Sequence, residues 1–246
     1  MIECRDHPSA NCEPRAPSAP LDMLILHYTA TDTAEAAIRW LADPASKVSC
    51  HYVVDDDGTI TRMVAETERA WHAGISYWRG ERDINSRSIG IEIQNVGPSG
   101  GYPQFPELQM RAVVRLCQDV VERHRIPREN VLAHSDVAPF RKVDPGEKFD
   151  WARLARAGVG LWIDPPPPGH ESALGVGSTG PAVAELTRLL AALGYEITES
   201  AVFDQSTNTI LKAFQMHWRP ARVDGRGDAS TFATLRRLLD LRDNRP

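Results

Sequence analysis

Val131-Leu-Ala-His134-Ser-Asp-Val-Ala-Pro-Phe-Arg-Lys142-Val-Asp144-Pro-Gly146 is the stretch on which the fold turns, taken with Met23-Leu-Ile-Leu-His27-Tyr-Thr29 upstream. In each, a short apolar run ends in a histidine, as it does when a buried strand delivers a side chain to a sheet edge. Strand ends are rigid, and rigidity is what a fixed coordination geometry requires. His27, His134 and Asp144 together make a ligand set that leaves one position of a tetrahedral zinc ion open. An open position is where a water becomes a nucleophile. Lys142 precedes Asp144 by two residues, so in an extended segment both point the same way. Its charge suits stabilising an oxyanion, and the combination predicts a hydrolase.

Working outward, residues 1–20 are polar and proline-rich and read as a surface coil. A core strand is predicted over 22–27, then a helix over Ala34–Ala42 capped by Asp32, with Ile38 and Leu41 inward. Cys50–Val54 and Thr59–Met63 read as a hairpin around Asp55-Asp-Asp-Gly58. Ile89–Gln94 reads as a strand, with acidic Glu92 set among Ile89, Ile91 and Ile93. From Pro106 to about Arg125 the chain carries Met110, Val113, Cys117, Val120 and Val121 at helical spacing, one buried stripe. Asn130–Ala133 returns as a strand, and Asp150 caps a short helix through Arg156. The pattern predicts an α/β fold, a mixed central β-sheet flanked by helices.

Pro165-Pro-Pro-Pro168 cannot join helix or sheet and forms a stiff spacer within a linker at 164–172. Beyond it three helices are predicted. The first runs from Gly180-Pro181 to Gly194, and the other two are capped by Asp204 and Asp228. The expected organisation is a coil (1–20), a catalytic domain (21–163), the linker (164–172) and a small three-helix C-terminal domain (173–246).

The composition, 42% hydrophobic and 25% charged, supports a real core, and the formal charge of −5 gives no basic face for nucleic acid. The longest apolar stretches are too short to cross a bilayer, so no membrane insertion is expected. Met1-Ile-Glu-Cys-Arg-Asp-His-Pro8 does not read as a secretory signal. A cytoplasmic monomer is expected, or an envelope protein if an export signal has been removed. Cys50 and Cys117 read as small buried hydrophobes, while Cys4 and Cys12 are free to pair in an oxidising compartment.

Six segments then carry a resemblance. Leu26-His27-Tyr-Thr, Cys50-His51-Tyr-Val-Val, Ala70-Trp-His72-Ala-Gly and Asn85-Ser-Arg-Ser-Ile-Gly-Ile-Glu92 are followed by Ala133-His134-Ser-Asp and Arg141-Lys-Val-Asp144-Pro-Gly. In this order they resemble zinc-dependent N-acetylmuramoyl-L-alanine amidases of the AmpD/AmiD type, related in fold to phage amidases and animal peptidoglycan recognition proteins. The resemblance implies zinc on His27, His134 and Asp144, the aspartate being the mark of the AmpD/AmiD branch. It implies Glu92 as general base and Lys142 at the oxyanion. Asn85 and Arg87 fall where the family contacts the muropeptide. His72 shapes the site or meets substrate, with a fourth-ligand role as the alternative, and His51 supports the sheet. His124 and His217 match no site motif, so surface or packing roles suffice for them. No second histidine is placed to make a serine triad of Ser135 and Asp136.

The implied reaction cleaves the amide between N-acetylmuramic acid, 1,6-anhydro forms included, and L-alanine of the stem peptide, in peptidoglycan turnover or recycling. A non-catalytic peptidoglycan-binding protein is the rival, though such relatives lose a zinc ligand and all three remain here. Gly180-Pro-Ala-Val-Ala-Glu-Leu186, Leu193-Gly-Tyr195, Ala213-Phe-Gln215 and Val223-Asp-Gly225 resemble a three-helix peptidoglycan-binding domain. These are caps and core positions, so wall binding and support of the catalytic domain both stay open. If that unit only docks to wall, a chain lacking 171–246 still cleaves soluble muropeptides.

Overall fold

Met23–Tyr28 forms a wholly extended, almost wholly buried strand, and the rest of the chain is arranged around it. The computed structural model describes residues 2–168 and 173–244, so positions 169–172 of the expected linker lie outside the described residues. In chain order the N-terminal part holds β1 (Arg5–Asp6), β2 (Cys12–Pro14), β3 (Met23–Tyr28), α1 (Ala34–Ala42), β4 (Tyr52–Val54) and β5 (Ile60–Arg62). It continues with β6 (Glu68–Ala70), α2 (Ile84–Arg87), β7 (Ser88–Ile93), α3 (Glu107–His124), β8 (Val131–Ala133), α4 (His134–Val137) and α5 (Trp151–Arg156). Three helices follow: α6 (Pro181–Leu193), α7 (Gln205–Trp218) and α8 (Ala229–Asp243).

Six strands form one sheet in the order β1-β5-β4-β7-β3-β8, and β2 pairs with β6 in a separate ribbon. β4, β7, β3 and β8 run parallel, while the β4–β5 hairpin is antiparallel, so the sheet is mixed. The N-terminal stretch is more than a coil. Arg5–Asp6 adds an edge to β5, and Cys12–Pro14 pairs with Glu68–Ala70. The cap of α1 is Thr33 rather than Asp32, its hydroxyl accepting from Ala36 N–H at 3.2 Å. Asp150, Asp204 and Asp228 cap α5, α7 and α8 through their side chains.

Period-two alternation divides β3 and β7 between two cores. Leu24, Leu26, Ile89, Ile91 and Ile93 pack with Val113, Leu116 and Val120 of α3. The isoleucines beside Glu92 therefore point away from it, and its environment is set by the other face. On that face Met23, Ile25 and Leu132 share a core with Trp78 and with Val183, Leu186 and Phe214 of the C-terminal helices. Hydrophobic burial is continuous from sheet to helical unit, so the prolines do not separate two independent cores.

The seam is tight at Gly194, the C-cap of α6, whose carbonyl accepts from Arg79 N–H at 2.9 Å. Its φ of 149° is hostile to side chains, and a Cβ there would lie 2.6 Å from the Trp78 ring. Gly194→Ala is expected to cost about 1–3 kcal/mol through overpacking, read as a drop in urea midpoint at unchanged m.

Candidate metal centre

β3 and β8 are parallel neighbours with Leu26 beside Ala133, so the next residue of each strand, His27 and His134, emerges at one point. Asp144 arrives from the loop after α4 and is anchored there by its own carbonyl, which accepts from Ser135 N–H at 3.0 Å. All three side chains are buried. His27 Nδ1 lies 2.9 Å from His134 Nδ1 and 3.2 Å from Asp144 Oδ2, and His134 Nδ1 is 2.9 Å from the same oxygen. Tetrahedral zinc with bonds near 2.1 Å spaces its ligand atoms about 3.4 Å apart, so the triangle needs to open by only a few tenths of an ångström.

The hydrogen-bond network assigns the protons. Ile84 C=O can only accept, so Ser88 Oγ–H donates to it at 2.7 Å. The Ser88 oxygen then accepts from His72 Nε2–H at 3.1 Å, which leaves His72 Nδ1 to accept from His27 Nε2–H at 3.0 Å. His134 Nε2–H donates to Ala73 C=O at 3.3 Å. With both rings neutral, each Nδ1 turns a lone pair towards the other and towards the Asp144 carboxylate. Three electron-pair donors with no proton among them fit a divalent cation.

Electrostatics prepare the same state. Burial, with His134 adding to it, pushes His27 down to about 4. Burial pushes His72 well below the ordinary imidazole range, with His27 and His51 adding. Burial works to raise the Asp144 carboxyl, but His134 and His27 hold it well below the carboxylate range. Burial thus favours a neutral His27, and Asp144 is held as the anion beside it.

Glu92 pairs in register with His27 across β7 and β3, which places both side chains on one sheet face. It lines a cavity of about 360 Å³ together with His134, Lys142, Asp144, Trp40 and Trp71. Its Oε2 is buried without a hydrogen-bond partner among the described residues. Burial raises its carboxyl well above the usual range, Asp144 adding and Lys142 opposing.

The other residues singled out from sequence fall differently. His72 lines the cavity but spends both ring nitrogens on His27 and Ser88. Asn85 lies behind that wall, its Oδ1 accepting from His72 N–H and Ala73 N–H at 3.2 and 2.8 Å. Arg87 is drawn away by Asp22 and Glu81. Neither Asn85 nor Arg87 is among the residues lining the cavity. His51 serves the sheet, its Nδ1 accepting from Gly90 N–H at 2.9 Å. Ser88 was overlooked, though its signal is present: Ser88, Gly90 and Glu92 alternate with Ile89, Ile91 and Ile93, a polar-and-small face against an apolar one. Gly90 is required to be small, because a Cβ would lie 2.5 Å from the His72 ring.

Residues 17–147 match the N-acetylmuramoyl-L-alanine amidase family, and residues 179–235 match a family described as a peptidoglycan binding domain. The N-acetylmuramoyl-L-alanine amidase AmiD of Escherichia coli (strain K12) is 38% identical over 232 residues, 89% of this chain and 83% of the relative. The solved complex of E. coli AmiD with anhydro-N-acetylmuramic acid-L-Ala-D-gamma-Glu-L-Lys superposes with a TM-score of 0.77 at 35% identity, covering 92% of each chain. AmpDh3 from Pseudomonas aeruginosa, solved with an anhydromuramic pentapeptide, superposes with a TM-score of 0.71 at 29% identity over 98% of each chain.

Ser88→Ala leaves the His72 Nε2–H unbonded and is expected to weaken zinc binding by about tenfold, measured by competition with a chromophoric chelator. A pH effect is expected from His51, which burial, aided by Arg15, holds down to about 3 against 6.5 when unfolded. The unfolded chain then binds the extra proton, so this stability is complete above pH 7 and declines as pH falls from 6.5 towards 3. Melting temperature of the chelator-treated chain between pH 7.5 and 4.5 tests the sign.

Proposed function

The chain belongs to the N-acetylmuramoyl-L-alanine amidase family, and from that premise we propose that it uses zinc on His27, His134 and Asp144 to cleave muropeptides between N-acetylmuramic acid and L-alanine, 1,6-anhydro forms included. The observation that carries this reading is the set of three converging lone-pair atoms, with Glu92 in register beside His27 at the floor of an open cavity. The anhydro substrate class is supported by the ligands bound in the AmiD and AmpDh3 complexes.

Zinc, when bound, supplies Lewis acidity at the scissile carbonyl and lowers the pKa of water towards neutrality. The chain supplies the rest. Glu92 takes a proton from the attacking water and passes it to the leaving nitrogen of L-alanine. The burial that raises its carboxyl favours holding that proton until the amide breaks. Lys142, on the same cavity wall, places its ammonium against the negative oxygen of the tetrahedral intermediate. Trp40, 57% exposed at the cavity lip, offers an apolar surface to a substrate entering the site.

Mass spectrometry after zinc-loaded protein meets soluble anhydro- and reducing-end muropeptides is expected to show free intact stem peptide. Release of single amino acids would point to a peptidase, and tight binding without cleavage to a receptor. Glu92→Gln is expected to retain zinc while turnover falls by about 10²–10⁴. Lys142→Ala is expected to cost about 2–4 kcal/mol in the barrier, read in kcat on the same substrate.

A further inference from the structure

Asp136 lies in α4, two residues beyond His134, with its side chain wholly buried. Three donors reach its carboxylate. Ala133 N–H donates to Oδ2 at 2.8 Å, the Tyr195 hydroxyl to Oδ1 at 2.7 Å, and His217 Nδ1–H to Oδ2 at 2.6 Å. The first bond closes α4 back onto the residue before His134 and fixes the peptide from which that ligand projects. The other two come from the C-terminal helical unit, Tyr195 just past α6 and His217 near the end of α7.

Both donors are themselves held. The His217 ring is stacked between Trp151 of α5, centroids 3.7 Å apart, and Trp218 at 3.6 Å. Tyr195 is set edge-on against Trp78 at 5.2 Å, beside the Arg79–Gly194 backbone bond. A buried carboxylate needs such charge-assisted bonds, since water cannot replace them. With Tyr195 or His217 gone, Asp136 keeps too few donors for its burial, and α4 must shift to let solvent in. His134 sits at the first position of α4 and shifts with it.

We propose that the C-terminal helical unit is a working support of the metal centre: Tyr195 and His217 are positioning residues that hold Asp136 and, through Ala133 N–H, hold His134 in place for zinc. The inference rests on the reading of His134 as a zinc ligand. It reverses the expectation for a docking-only unit, because cleavage of soluble muropeptides then depends on residues 173–244. It also gives Asp136 a role that is neither ligation nor proton transfer.

The test measures zinc affinity of full-length protein by competition with a chromophoric chelator, alongside kcat and KM on a soluble muropeptide. His217→Leu and Tyr195→Phe are expected to raise the zinc Kd by about tenfold and to lower kcat with KM little changed. His217→Asn, whose amide N–H can stand where Nδ1–H does, is expected to recover near-wild-type affinity. Leu238→Ala, buried in α8, which supplies none of the three donors to Asp136, is the stability control and is expected to lower the melting temperature with zinc Kd unchanged. Wild-type zinc affinity in both His217→Leu and Tyr195→Phe would overturn the inference alone, as would an equal loss of affinity in Leu238→Ala. If His217→Leu does not fold, Tyr195→Phe, which removes a single hydroxyl, decides. A wild-type chain that takes up no zinc would overturn the metal reading and this inference with it.

Discussion

Two imidazole nitrogens held 2.9 Å apart beside one carboxylate form the constraint on which the rest of this structure depends. Each ring has committed its proton elsewhere, His134 to Ala73 and His27 to His72. Those commitments explain features that otherwise look unrelated. Gly90 is small so that the His72 ring can lie on the sheet, and Ser88 is polar so that the ring has somewhere to donate. Asn85 ties down the two amides of the turn that carries His72 and the Ala73 carbonyl. A lone-pair cluster of this kind is repulsive by itself, which is why it suits a divalent cation.

The sheet reaches this arrangement by changing character along one face. Met23 and Ile25 are apolar and covered by the C-terminal helices, while His27, two residues on, joins the buried cluster with His134 and Asp144. The helical unit therefore covers the same face that holds the chemistry and stops short of the strand ends. The opposite face is uniformly apolar under α3, and it anchors the register that sets His27 beside Glu92. A one-residue slip of β7 would turn Glu92 into that core and away from His27.

Much of this was legible in the chain. The apolar runs entering His27 and His134 announced strands that deliver the two histidines, and the stripe on 107–124 announced the covering helix. Local signals failed where they were short or had competitors. Two- and three-residue strands at 5–6 and 12–14 exist only because β5 and β6 offer them edges, so no periodicity betrays them. Asp32 and Thr33 are both good capping residues, and only backbone geometry chose between them. The ion pairs of Arg87 with Asp22 and Glu81 join residues far apart in the chain, which no local pattern signals.

The sequence by itself determined the donor chemistry, the strands that deliver it and the family to which the chain belongs, because residue type and short-range periodicity are local properties. Only the tertiary structure decided that His72 and Ser88 set the tautomer of His27, and that Tyr195 and His217 hold the carboxylate beside His134. Tyr195 and His217 lie 59 and 81 residues from Asp136, and contacts at that range are set by how the two units pack, which no local pattern encodes.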